Sequence, residues 1–425
     1  MNKTIGIYIH IPFCVKKCQY CDFNSIAIDN IPDDIYINAV IKELTGHIKE
    51  RPILADKTLE TIYIGGGTPS LISPNNIKRF VSGIIQTFPF VNPRPILRMG
   101  APKSFGVGVN TQAIDKSLTS KMFVNGKQDV CQYREITIEI NPGTVIRDSL
   151  VAFKDAGVNR LSIGGQSFNE KTLKSLGRIH SAKDAVRCYE YARMAGFDNI
   201  GIDLIFGAPE QSIEEWEEDL ETVISLRPEH ISTYNLTIEK GTPFSKLQKD
   251  GKLILPSEEE QILMYEHAID KLKGAGYNHY EISNFSLNGF ESRHNLRYWS
   301  CMDYIGLGSG AHSYIASPDW GMRWWNENNP AVYMQRIKDT GQAIAGKEVL
   351  RKEEALEEGI FLGLRRLTGI DKNWFATRFN MPLKELYMHK IAALKMAGLL
   401  YEDDNIIRLT RKGLLLSNEV FAELI

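Results

Sequence analysis

The chain predicts an α/β protein: a partial, open parallel β/α barrel followed by a C-terminal, mainly helical, winged-helix-like domain. Three observations lead there. From residue 5 to about 235, short β-type runs alternate with helical stretches, the pattern of parallel strands joined by right-handed crossovers. Within those strands one face is aliphatic and the other polar. After about residue 350 the strand signal gives way to helical segments and one short hairpin-like run.

The strand candidates, in order, are IGIYIHI, ETIYIG, EITIEIN, RLSIGG, NIGIDLIFG and HISTYNL. The helices between them have recognisable starts. SPNNIKRF offers Ser73 as N-cap with Pro74 at the first helical position, and SIEEWEEDL sets Glu215 three residues after Ser212, a capping box. Alternation puts Ile5, Ile7 and Ile9, then Ile136, Ile138 and Ile140, Leu161 and Ile163, and Ile200, Ile202 and Leu204 on one face. The opposite face carries Tyr8 and His10, Thr137, Glu139 and Asn141, Arg160 and Ser162, and Gly201 and Asp203. With helices over the apolar face, these polar side chains point into the middle of the sheet. A closed eight-stranded barrel packs that middle with branched aliphatics. The polar lumen therefore predicts an open barrel with a binding site inside, against the alternative of a doubly wound sheet with scattered polar positions.

The barrel is expected over residues 1–240, an extension of it over 241–345 and the helical, winged-helix-like domain over 346–425. Residues 91–133 interrupt the scheme as an atypical insertion with little periodicity, too long for an ordinary connection, bearing six Lys and Arg against two Asp. It joins a helix to the next strand and so belongs at the N-terminal face of the strands. Residues 371–425 carry 8 Lys and Arg against 7 Asp and Glu, which does not make a basic recognition face for DNA.

The 425 residues are 43% hydrophobic and 24% charged with a formal net charge of −2, ordinary globular composition with no bias toward nucleic acid or an anionic membrane. The N-terminus lacks the pattern of a secretory signal, and no apolar run reaches spanning length. A cytoplasmic protein is expected. In a reducing compartment six cysteines do not read as a disulfide framework, and Cys131, Cys188 and Cys301 stand alone.

Cys14, Cys18 and Cys21 do not stand alone. In CVKKCQYC, directly after the first strand, three thiolates at i, i+4 and i+7 can converge on one inorganic centre, and an iron-sulfur cluster is the usual occupant of such a loop. Zinc is the alternative, with His10 the nearest candidate for a fourth ligand, although no second knuckle is present. Three ligands on a four-iron cluster leave one iron open.

CVKKCQYC has the CxxxCxxC spacing of radical S-adenosylmethionine (SAM) enzymes. Together with YIGGGTPS, EINPGTV, RLSIGGQSF, LGRIH, IDLIFGAPEQ, YEISNF and ESRHNLRYW, it resembles the oxygen-independent coproporphyrinogen III oxidase group and, within it, the HemW-type haem chaperones. The resemblance covers nearly the whole chain outside the insertion. It implies a radical SAM type of barrel, with a 4Fe-4S cluster on Cys14, Cys18 and Cys21 and S-adenosylmethionine on the open iron. A reduced cluster would pass one electron to the sulfonium, giving methionine and a 5′-deoxyadenosyl radical, while the protein orients the cofactor. Tyr20 would approach the adenine, and Gly66, Gly67 and Thr68 the methionine end, where glycine amides can take a carboxylate. Glu139, Gln166, Arg178 and Asp203 fall at matching positions of the cofactor site, with Tyr8 lining the same pocket. No catalytic residue is assigned.

HNLRYW matches the HNxxYW motif of the chaperone branch, which implies haem as cargo with His294 as axial ligand, in a loop, and Tyr298 and Trp299 against the porphyrin. Two departures set the chain apart from the oxidases. They carry a further cysteine two residues beyond the triad, where this chain has Phe23, and an N-terminal extension ahead of the first strand. The expected function is therefore haem binding and delivery to haem-accepting proteins, with peripheral association at the inner face of the membrane within that reading. Coproporphyrinogen III oxidase is the alternative, and a winged-helix DNA-binding regulator stands third.

Overall fold

The computed structural model describes residues 3–51, 54, 56–88 and 134–424. The expected insertion at 91–133 lies outside the described residues.

The first strand, β1 (Thr4–Ile11), runs into β2 (Phe13–Cys14), which pairs in parallel with β3 (Ile26–Ala27) and so closes the cysteine loop at its base. The barrel continues through β4 (Thr58–Gly66), β5 (Glu135–Ile140), β6 (Arg160–Gln166), β7 (Ile200–Phe206) and β8 (His230–Asn235). From β1 to β8 each of these pairs in parallel with the next. Two short strands follow, β9 (Asn278–Glu281) and β10 (Asn284–Ser286), with β10 antiparallel to β8 and β9 antiparallel to β10. On the far side of β1 lies β11 (Tyr304–Leu307), a further parallel strand that the sequence pattern did not predict. It is followed antiparallel by β12 (His312–Ile315), β13 (Met322–Asn326) and β14 (Ile344–Val349). The resulting 12-stranded sheet has β14 and β9 at its two ends, and the barrel is open.

Aliphatic alternation decides which face is covered. Ile7, Ile62, Ile138, Ile202 and Ile231 stand on neighbouring strands and are all buried in one core with the crossover helices. Each such side chain contributes about 1.5–3 kcal/mol by leaving water. The helices begin where the sequence placed them: Ser73 accepts the Asn76 N–H at the head of Pro74–Thr87, and Ser212 and Glu215 cap each other reciprocally at the head of Ile213–Leu226. Trp216, fully buried, ties that helix to Glu258–Gly274 by donating from Nε1 to the Met264 carbonyl at 2.7 Å.

The HNxxYW motif is a helix, Arg293–Trp299, where a loop was expected. Ser292 supplies the N-cap by accepting the Asn295 N–H. The backbone N–H groups of Arg293 and His294 donate to the Glu135 carboxylate at 3.0 Å each, and Arg297 donates to the carbonyls of Thr4 and Asp303 at 3.1 and 2.7 Å and pairs with Glu60. Thr4, Glu60 and Glu135 all lie at or near strand starts, so this helix closes the N-terminal end of the barrel.

Beyond residue 350 a second core forms around Leu356, Ile360, Phe375, Phe379, Leu394, Ile407 and Val420. Its helices Lys352–Arg365, Lys372–Phe379 and Leu383–Met396 surround a small sheet of β15 (Ile370–Asp371), β16 (Leu400–Glu402) and β17 (Ile406–Leu409), the helix-and-wing arrangement. Arg411 holds it to the barrel through both oxygens of Asp270, at 2.7 and 2.8 Å. Among the described residues no helix is long and apolar enough to cross a membrane.

Core and cap contributions separate by size. Replacing Ile138, fully buried between sheet and helices, with alanine should destabilise the protein by about 2–5 kcal/mol. Ser212→Ala should lower stability by only about 1 kcal/mol. Urea denaturation of the two variants checks the ordering, and equal losses would mean the sheet face is not the main core.

Candidate functional site

The three cysteines leave the sheet where β1 ends. Cys14 is buried, and Cys18 and Cys21 are half-buried. Their loop is folded back on itself: the Cys21 N–H donates to the Cys18 carbonyl at 3.3 Å, and Lys17 Nζ donates to the carbonyls of Phe23 and Ser25 at 3.0 and 3.2 Å. Two donors come to the sulfurs from connections elsewhere in the barrel. The Thr68 hydroxyl lies 3.5 Å from Cys14 Sγ, and the Arg178 guanidinium lies 3.4 Å from Cys18 Sγ. Burial pushes the Cys21 thiol up. All three cysteines line one cavity of about 360 Å3. Among the described residues no three His, Cys, Asp or Glu side chains converge tightly enough to hold a single metal ion. His10 is not free to join the three cysteines as a fourth ligand. Both His10 ring nitrogens are engaged elsewhere, Nδ1 with the Tyr8 hydroxyl at 2.9 Å and Nε2 with the Asn24 carbonyl at 2.7 Å.

Into the same cavity the fold brings Tyr20, Gly66, Gly67, Thr68, Glu139, Gln166, Arg178 and Asp203, residues drawn from six separate segments. Gly66 has φ +118°, and a Cβ on Gly67 would stand 2.9 Å from Cys14 Sγ, so the glycines let the end of β4 lie directly against the cysteine loop. Their amides are not open to a ligand carboxylate as expected. The Gly66 N–H donates to Glu139 Oε2 at 3.0 Å, and the Gly67 N–H donates to the Ile11 carbonyl at 2.7 Å. The carboxylate taken by this turn is the chain's own.

Glu139 accepts a second bond from the Tyr63 hydroxyl at 2.9 Å. Even so, burial pushes its carboxyl up to about 7, with Asp203 adding to the rise. Asp203 is held by the hydroxyls of Ser162 at 2.8 Å and Ser232 at 2.6 Å, and burial raises it too. Glu139, raised so far, can serve as donor as well as acceptor toward a hydroxyl-bearing ligand.

Two expected residues lie elsewhere. Tyr8 faces an adjoining cavity of about 410 Å3, which shares Phe23, Gly66 and Glu139 with the first and adds His10, Tyr298, Tyr304 and His312. His294 opens on neither cavity. It is fully buried, with Nδ1 bonded to the Thr61 hydroxyl at 2.7 Å and Nε2 to the Tyr298 hydroxyl at 2.8 Å, its ring stacked on Tyr63 at 5.2 Å. Burial, with Arg297 and Arg160 nearby, holds its imidazole down at about 3, in the neutral form. Neither nitrogen is free for iron in this arrangement.

The sequence reading passed over Tyr63, Ser162 as a partner of Asp203, Ser232 and Asn295, all of which line the first cavity. Tyr63 had a signal, since alternation on β4 puts Thr61 and Tyr63 on the lumen face. Asn295 had one too, as the second residue of HNxxYW, although the haem roles that motif implies fall on His294, Tyr298 and Trp299.

The raised Glu139 pKa sets a pH dependence. Between about pH 4.5 and 7 the folded protein keeps a proton on Glu139 that the unfolded chain has released, so stability falls as pH rises through that window. The cluster-free Glu139→Gln variant should show a stability–pH curve that diverges from wild type across this window by on the order of 2–3 kcal/mol. Thermal melts at pH 5 and pH 8 check it. Parallel curves would show that Glu139 titrates normally.

Comparison with known proteins places this geometry. The radical SAM superfamily profile matches residues 8–223, and the HemN C-terminal domain profile matches residues 350–416. The chain is 36% identical to the heme chaperone HemW of Bacillus subtilis, with 97% of each chain covered. It is 35% identical to the heme chaperone HemW of Lactococcus lactis, over 99% of this chain and 97% of that protein. Among solved structures, the coproporphyrinogen III oxidase HemN of Escherichia coli, described as a radical SAM enzyme, aligns with a TM-score of 0.77 at 22% identity, covering 100% of this chain and 90% of the other. That likeness establishes the shared fold. With the superfamily profile spanning the cysteine loop and the lumen strands, and relatives of this identity matching end to end, the chain belongs to the HemW family of the radical SAM superfamily.

Proposed function

We propose that the protein is a cytoplasmic haem chaperone, binding haem and delivering it to haem-accepting proteins from a radical SAM scaffold. The observation that carries this reading is the near-full-length similarity to proteins called heme chaperone HemW. In this reading Cys14, Cys18 and Cys21 hold a 4Fe-4S cluster and leave one iron for S-adenosylmethionine. When bound, the pair supplies one-electron chemistry at the sulfonium.

The chain's own residues position and shield that pair. Arg178, with its guanidinium beside Cys18 and anchored on the Gly164 carbonyl at 3.2 Å, supplies positive charge to the thiolates or to a ligand carboxylate. Tyr20 is braced against Phe244, 6.5 Å away, and offers a ring face for a purine. Gln166 points into the cavity from a left-handed backbone position, φ 66°. Glu139 and Asp203 take ribose hydroxyls or an ammonium, and Thr68 keeps Cys14 oriented. Haem ligation through His294 requires Tyr298 to release Nε2 or Thr61 to release Nδ1.

The oxidase reading is less well supported. Phe23, standing where the oxidases carry a further cysteine, is 62% exposed and lines both cavities as an apolar wall. The test is anaerobic reconstitution with iron and sulfide followed by separate assays of haem uptake and coproporphyrinogen III turnover. Uptake without turnover is expected, and turnover would move the protein to the oxidase branch. Cys14→Ala should abolish the brown cluster absorbance and cofactor cleavage while haem uptake persists. Loss of haem together with the cluster, in a variant that still folds, would show that the two sites are coupled.

A further inference from the structure

The lumen contains a charge that its own surroundings leave unmatched. Arg160 begins β6 and is 2% exposed, yet among the described residues its guanidinium makes no hydrogen bond or ion pair, and Nε is a buried donor without a partner. Other buried arginines are matched: Arg297 has Glu60 and two carbonyls, and Arg178 has Cys18 and Gly164. Asp203 is near enough to feel the Arg160 charge, but its two oxygens are taken by Ser232 and Ser162. A cation taken out of water is normally paired or bound to a ligand.

Two more unpartnered polar groups stand with it. His230 begins β8, and its Nε2 meets the Tyr280 hydroxyl at 2.8 Å while Nδ1 is buried without a partner. Asn295, on the helix that closes the barrel end, makes no side-chain hydrogen bond among the described residues. Arg160, His230 and Asn295 line the same cavity as the cysteines but at the opposite end of its strands. Arg160 and Gln166 are six positions apart on β6, roughly 20 Å at full strand rise.

We propose that this floor is a carboxylate subsite, in which Arg160, with His230 and Asn295, receives a propionate of the tetrapyrrole cargo. The subsite rests on the haem-chaperone reading. The cofactor, held in that reading at the cysteine end, has its own carboxylate committed far from the floor. The planar guanidinium suits a carboxylate bidentately, and the two flanking donors complete its hydrogen bonding.

The reconstituted full-length protein is titrated with iron(III) protoporphyrin IX and with its dimethyl ester, in wild type, Arg160→Gln and Arg160→Lys. Wild type is expected to bind the free acid about tenfold or more tightly than the ester, a single charge-assisted pair's difference. Arg160→Gln should lose that preference, and Arg160→Lys should keep part of it. Equal binding of acid and ester by wild type overturns the subsite, and that comparison needs no variant. A preference that survives in Arg160→Gln overturns it as well. In a parallel arm with S-adenosylmethionine and its decarboxylated analogue, an Arg160→Gln defect confined to the carboxylate-bearing cofactor would assign the floor to the cofactor and overturn the proposal. Failure of wild type to take up either porphyrin would overturn the chaperone reading itself, a result distinct from uptake without discrimination.

Discussion

The structure depends on one constraint: in a parallel sheet curved into a partial barrel, both faces are cut off from water. The outer face meets it with aliphatic side chains under the crossover helices. The inner face carries charge and hydroxyls, so every inward group needs a partner or a ligand. Glu139 is met by Tyr63 and Gly66, Asp203 by Ser162 and Ser232, and His294 by Thr61 and Tyr298. The bonds of Glu139 and Asp203 are cross-strand and hold neighbouring strands in register, while His294 ties the helix Arg293–Trp299 to β4 through Thr61.

The two ends of the barrel are built differently as a result. At the C-terminal end, where β1 and β4 stop, glycines 66 and 67 bring backbone against backbone and carry Cys14 to the cavity wall. At the N-terminal end the helix Arg293–Trp299 is bolted to strand starts by Glu135, Glu60 and Thr4. Among the described residues the opening for ligands thus lies at the cysteine end, and what lies at the covered end sits in a low-dielectric floor. The raised carboxyls and the depressed histidines follow from that enclosure.

Much of this was legible from local pattern. Six barrel strands, the caps at Ser73 and Ser212, and the inward direction of Glu139 and Asp203 all follow from alternation and helix-start chemistry, which act over a few residues. The parallel strand β11 was not legible, because its four residues pair with β1 across some three hundred positions. Nor was the helical state of His294, since a seven-residue helix draws its stability from Glu135 and Glu60 rather than from its own periodicity.

The division has a physical basis. The amino-acid sequence by itself determined which side chains face the lumen and that three thiols share one loop, because strand period and loop spacing are local properties. Only the tertiary structure decided which of those inward groups satisfy one another and which stand open. Glycine amides that could take a ligand carboxylate are bound to Glu139 and Ile11, a histidine expected as a haem ligand in a loop is bonded at both nitrogens, and among the described residues Arg160 makes no hydrogen bond or ion pair. Hydrogen-bond pairing depends on register between strands far apart in the chain, and no local pattern carries that information.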